Sequence, residues 1–140
     1  MGVGSSNDWR EPLPQVTRAL SILHGRLRNA MTSLDSGEKA AEAAGQNANT
    51  LVIAPQFLNQ TDFTRNPIDS QTLRWNSNDW MAGEASTAPG QISSYGALDQ
   101  IIKHLGNRKL FPALKEIVVA GHSGGGQVVQ RFALLGHEHP

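Results

Sequence analysis

The feature that most restricts the fold of this 140-residue chain is the join at Gly121-His122-Ser123-Gly124-Gly125. Four apolar residues, Ile117-Val118-Val119-Ala120, lead into it, and Gln127-Val128-Val129-Gln130-Arg131-Phe132-Ala133 leads out. The first run is short and mostly β-branched, as a buried strand is. The second puts Val128, Val129, Phe132 and Leu135 on one helical face. A chain passes from strand to helix in so few residues only through a sharp turn, which crowds the positions two before and two after its central residue. Glycine at Gly121 and Gly125 relieves that crowding, and Ser123 is left exposed above the carboxyl edge of the sheet.

That placement has a chemical meaning. A free hydroxyl is a weak nucleophile unless it is exposed, aimed and within reach of a base. The helix that follows directs its N-terminal amides at the point where negative charge develops during acyl transfer. Phosphate-binding turns are the competing reading, but the spacing Gly121, Gly124, Gly125, Gly126 does not make a dinucleotide fingerprint, and no lysine follows as a P-loop requires. Ser123 is therefore the candidate catalytic nucleophile. A second feature agrees with it. An opening strand from Val16 to Leu23 stops at His24-Gly25-Arg26. In a sheet of this kind, the loop after that strand supplies one oxyanion-hole amide, and the residue after the nucleophile supplies the other. The expected hole is the Gly124 N–H with an N–H at Gly25 or Arg26.

The remaining elements alternate. Thr50 to Ala54 reads as a buried strand closed by Pro55. A helix is expected from Met31 to Ala44, with Gly37 interrupting it and Gly45 ending it. A second helix is capped by Ser93 or Ser94 and carries Leu98, Ile101, Ile102 and Leu105 at i, i+3, i+4 and i+7 before Gly106. Strand, helix, strand, helix, strand, helix predicts an α/β fold: a parallel sheet with flanking helices and right-handed crossovers. Residues 1–15 read as an irregular lead-in and 16–140 as one domain. Residues 56–91 lack periodicity; Phe57, Phe63, Trp75 and Trp80 there either line a pocket or anchor the long loop to the core, the second being the favoured reading.

Composition narrows the function by exclusion. Twelve basic and 12 acidic residues give zero net charge, so nucleic acid and anionic membranes gain no electrostatic attraction. Cysteine is absent, which removes disulfides, thiolate metal sites and cysteine nucleophiles and leaves the redox compartment open. No apolar run approaches the roughly 20 residues of a membrane span. The start has no signal-peptide core, which leaves the cytoplasm as the default location. Gly2 and Ser6 fit the myristoylation pattern but read as an ordinary tail, and Asn59-Gln60-Thr61 is a glycosylation sequon only in a secreted protein. No cofactor and no metal site are expected, His137-Glu138-His139 reading as a ragged end rather than a ligand cluster.

The phrase from Phe111 to Gln127, with Ala54-Pro55-Gln56-Phe57 and Leu73-Arg74-Trp75, resembles uncharacterised members of the α/β-hydrolase superfamily of esterases and lipases. The resemblance runs from Val16 to Leu135. It implies that the three strands are the third, fourth and fifth of that fold, lying in the order 4-3-5, and that a small-molecule ester is the substrate. The superfamily's acid and histidine follow the serine on later strands. Here 17 residues follow Ser123 (140 minus 123), and His137, Glu138 and His139 stand beyond a helix of about 12 residues, some 18 Å long. His24 and His104 are out of triad order, His104 reads as a surface residue, and His122 is expected to pack beside the turn. A partial domain with weak or absent turnover is the resulting expectation. A non-catalytic remnant that self-associates through an exposed sheet edge is the alternative from another class. An acyltransferase or perhydrolase using the same turn is a third.

Overall fold

Alternation decides which side of a sheet each strand residue faces, and here both sides are covered. The computed structural model describes residues 2–60, 62, 72–87 and 90–135. In chain order its elements are β1 (Gly2–Ser5), β2 (Arg18–Leu23), α1 (Ala30–Ala43), β3 (Thr50–Gln56), a 3₁₀ turn at Asp79–Ala82, α2 (Ser94–Leu105), β4 (Glu116–Gly121) and α3 (Gly124–Leu135). The sheet is open and four-stranded, in the order β1-β3-β2-β4. β2 pairs in parallel with both β3 and β4. The first of the three parallel strands therefore lies between the other two, the spatial order expected of them.

Two expectations are corrected. The sheet is mixed rather than parallel, because β1 runs antiparallel along β3, with Gly2 opposite Gln56 and Ser5 opposite Ile53. Residues 1–15 are accordingly not all irregular. Gly2-Val3-Gly4-Ser5 has little strand propensity of its own, but it covers what would otherwise be an open edge. Ser6 completes the pairing: its N–H donates to the Val52 carbonyl, and its hydroxyl accepts from the Val52 N–H, each at 2.9 Å. The second correction is at Pro55, which does not close β3. Pro55 lies beyond the Thr50–Ile53 stretch paired with β2, so its missing N–H interrupts no bond to that strand.

Val52 and Ala54 face α1, packing with its Ala30 and Leu34 and with Ile22 of β2. Ala19, Leu23, Leu51 and Ile53 face the other side, against Leu98, Ile101 and Leu105 of α2 and Val128 and Phe132 of α3. Burial on both faces is why β3 reads as an unbroken apolar run. Val129 is half-buried, and the side chain of Leu135 lies outside the described residues. Ser93 caps α2, its hydroxyl accepting from the Gly96 N–H, and α1 is capped by Asn29. Phe57, Trp75 and Trp80 are fully buried in the main core, so they anchor the described parts of the 56–91 stretch. Phe57 stacks on Trp80 at 5.1 Å between ring centroids. Phe63 is outside the described residues, as is Thr61 of the sequon. Among the described residues no helix is long and apolar enough to cross a membrane.

Gly37 does not interrupt α1; it lets the helix lie close on the sheet. A methyl group there would stand 2.6 Å from Val52 Cγ1, a fully buried atom with nowhere to move. Gly37→Ala gains about 1 kcal/mol of helix propensity against an overpacking cost of about 1–3 kcal/mol. The expected net result is a loss of about 1 kcal/mol, read as a melting temperature lowered by a few degrees in thermal unfolding.

Candidate functional site

The register of two neighbouring strands builds the site. Leu23 of β2 lies opposite Gly121 of β4, so the residues that follow each strand emerge side by side at the carboxyl edge. His24-Gly25 thus meets His122-Ser123. A methyl group at Gly25 would be 3.4 Å from the His122 carbonyl oxygen, 3.5 Å from Ser123 Cβ and 4.0 Å from Ser123 Oγ.

Ser123 has φ 55°, the left-handed region that a side-chain-bearing residue enters at a cost. The glycines around it are there for contact. A methyl at Gly121 would collide with the Gly125 carbonyl group, and one at Gly125 with the carbonyl oxygens of Leu23 and His24, all within 3.0 Å. The strand end, the turn and the first turn of α3 therefore touch backbone to backbone. Ser123 is exposed, and α3 starts at the next residue.

The facing loop is held by side chains that sequence reasoning did not assign to the site. His24 is 2% exposed and both ring nitrogens are engaged. The Phe57 N–H can only donate, so Nε2, 3.0 Å away, is the acceptor. Nδ1 must then carry the proton and donate to the Gly25 carbonyl at 2.8 Å. Burial holds the imidazole below its ordinary pKa, the bond to Gly25 opposing and the nearby Arg28 charge reinforcing that shift. His24 is therefore a neutral structural group. The Gly25 carbonyl also accepts from the Arg28 N–H at 3.0 Å. Because a peptide is planar and trans, a carbonyl fixed on one side turns the following Arg26 N–H to the other. Among the described residues, neither the Arg26 nor the Gly124 N–H is bonded to a protein acceptor.

Further anchors come from the segment after β3. Gln56 donates to the Arg28 carbonyl at 2.6 Å and accepts from the Ala30 N–H at 3.0 Å. Arg28, itself at φ 53°, forms a two-pronged ion pair with Asp62 at 3.0 and 3.2 Å. The apolar residue Met81 lies over α3: a methyl at Gly124 would meet its Sδ at 3.1 Å and Arg26 Cγ at 3.2 Å. The Arg131 guanidinium holds this segment by donating to the Met81 carbonyl at 3.0 Å.

No described histidine or carboxylate hydrogen-bonds to Ser123 Oγ. His24 is fully engaged. His104 is not the free surface residue expected: it is half-buried, 2.9 Å from the Trp9 carbonyl through Nε2, and packed edge-on against Trp9 and Phe111. His122 is exposed beside the turn rather than packed against it. His137, Glu138 and His139 lie outside the described residues. Among the described residues no group of three or more His, Asp or Glu side chains could hold a metal ion. A cavity of about 570 Å³ opens at Ser123, between the ends of β2 and β4 and the first turns of α1. Comparison with models of known protein families, with curated proteins and with solved structures gives no match for the chain.

Proposed function

We propose that the chain is an acyl-transfer protein of the α/β-hydrolase type, in which Ser123 attacks a carboxylic ester and carries the acyl group. The observation that supports this most is the combination at one residue: an exposed serine held at φ 55° between a strand and a helix, with two unbonded amides flanking it. Backbone strain at an exposed polar residue is kept where the surroundings impose it, and such places cluster at reactive sites. In the reaction, Oγ bonds to the carbonyl carbon, the alkoxide leaves with its electron pair, and the serine proton passes to solvent or to a base. The Gly124 N–H, with the Arg26 or Gly25 N–H, would bind the oxyanion; one such donor contributes about 3 kcal/mol in known enzymes. With no described base on Oγ, solvent hydroxide takes the proton, and turnover is slow. The test is release of 4-nitrophenol from 4-nitrophenyl acetate, compared with the Ser123→Ala protein.

A second reading, a self-associating module without catalysis, rests on a separate observation. β4 is the outer strand of the sheet among the described residues, and Glu116–Gly121 is exposed or half-exposed throughout. Its Ile117–Ala120 segment carries neither charge nor proline, the usual guards of a free edge. Antiparallel pairing of two β4 strands in a second copy of this chain would cover it. Sedimentation velocity is expected to show dimerisation with concentration, and Val119→Lys to return the protein to monomer. A wild-type chain that stays monomeric at high concentration removes this reading.

A further inference from the structure

We infer that the ester received by Ser123 carries a carboxylate on its acyl part, recognised by Arg26; this rests on the reading of Ser123 as the nucleophile. The chain has as many acidic as basic residues, yet the ionisable side chains lining the cavity at Ser123 are Arg26 and His122, with no carboxylate among them. A cavity of one sign concentrates ligands of the other.

Arg26 also stands apart from the other described arginines, Arg74 among them being engaged as well. Arg10, Arg18 and Arg28 are paired with carboxylates, while Arg108 and Arg131 donate to the carbonyls of Leu114 and Met81. Among the described residues the Arg26 guanidinium has no such acceptor, although the backbone on either side of it is held by the bonds of His24 to Gly25 and of Gln56 to Arg28. Its stem rests on Gly124, the amide expected to bind the ester carbonyl oxygen. Of the two groups on that carbonyl carbon, the acyl chain is the one that stays on Ser123 after the alkoxide leaves, so it is the part that a charge at Arg26 can hold through the acyl-enzyme. The rest of the lining is uncharged: Asn29, Thr32, Ser33 and Ser36 at the start of α1 can hydrogen-bond, beside the apolar Ile22, Leu27 and Ala120. A guanidinium fork matches the two oxygens of a carboxylate. A short dicarboxylic half-ester fits these features; a long alkyl ester leaves the guanidinium facing an apolar chain.

The experiment compares acylation of the whole chain by the mono-4-nitrophenyl ester of glutaric acid and by 4-nitrophenyl valerate, with adducts located by peptide mass mapping. The wild type is expected to acylate Ser123 roughly tenfold faster with the charged ester, the ratio that a charge-assisted bond at an accessible site supports. Arg26→Gln is expected to reduce that ratio to about one, and Arg26→Lys to restore part of it. Equal rates in the wild type, or a preference unchanged in Arg26→Gln, overturn the inference. Glutarate binding, followed by amide NMR shifts at Arg26 and Gly124, separates the two readings. Glutarate bound in the wild type and lost in Arg26→Gln, with no adduct on Ser123, overturns the nucleophile and keeps the anion pocket. Adducts on Ser123 without any charge preference overturn the pocket and keep the nucleophile. Neither signal overturns both.

Discussion

Alanine at position 125 is expected to unfold or severely weaken the domain, although it adds a single methyl group. The new atom would lie within 3.0 Å of the Leu23 and His24 carbonyl oxygens and the Leu23 carbonyl carbon. These are backbone atoms at the end of the central strand, so relief requires β2 and α3 to separate rather than a side chain to turn. Ordinary overpacking costs about 1–3 kcal/mol; a clash with backbone on a central strand belongs above that, at about 4 kcal/mol, a large part of the 5–15 kcal/mol total of a typical domain. At this chain length the melting temperature would fall by roughly 10 °C or more. Gly124→Ala is the matched control. Its methyl would meet Met81 Sδ at 3.1 Å and the Arg26 stem at Cγ, 3.2 Å away, side-chain atoms that can give by a few tenths of an ångström, and a much smaller change is expected. Thermal unfolding followed by circular dichroism separates the two. Equal melting temperatures for Gly125→Ala and the wild type would show that the turn is not packed as described.

Ser123→Ala is expected to abolish ester-dependent acylation, bringing 4-nitrophenol release to the buffer rate. The wild-type excess over buffer should rise with pH, because no described base activates Oγ. Stability gives an independent readout. Alanine is also disfavoured at φ 55°, so Ser123→Ala changes stability little, whereas Ser123→Gly removes backbone strain worth about 1 kcal/mol. Glycine should thus yield a protein that is more stable yet inert toward the ester. A serine kept at a position where glycine is more stable is one retained for its hydroxyl.

The parts of the molecule legible in the sequence are those set by local rules. The strand, turn and helix around Ser123 follow from apolar run length, paired glycines and helical periodicity, and α2 from its Ser93 cap and its i, i+3, i+4, i+7 stripe. What escaped depends on partners brought close by topology. β1 takes its order from β3, about 50 residues away, and Gly2-Val3-Gly4-Ser5 carries no pattern of its own. His24 is tied to Phe57, and Arg28 to Asp62, across separations of 33 and 34 residues. The motif His24-Gly25 was visible, but the anchoring of its carbonyl was not, because Gln56, Phe57 and Asp62 stand in a stretch without periodicity. Gly37 misled for a related reason: its use is a contact with Val52, which helix propensity does not report.

Two described serines have positive φ, Ser77 at 47° in a loop turn and Ser123 at 55°, and of these Ser123 stands between a strand and a helix at the cavity. Prolonged incubation with a fluorophosphonate, followed by intact mass measurement and peptide mapping, tests most directly whether Ser123 is the reactive serine. The expected result is a single adduct per chain, formed slowly, on the peptide containing Ser123, and none in Ser123→Ala. Adducts spread over other serines, Ser33 and Ser36 of the same cavity included, or equal labelling of wild type and Ser123→Ala, would contradict it.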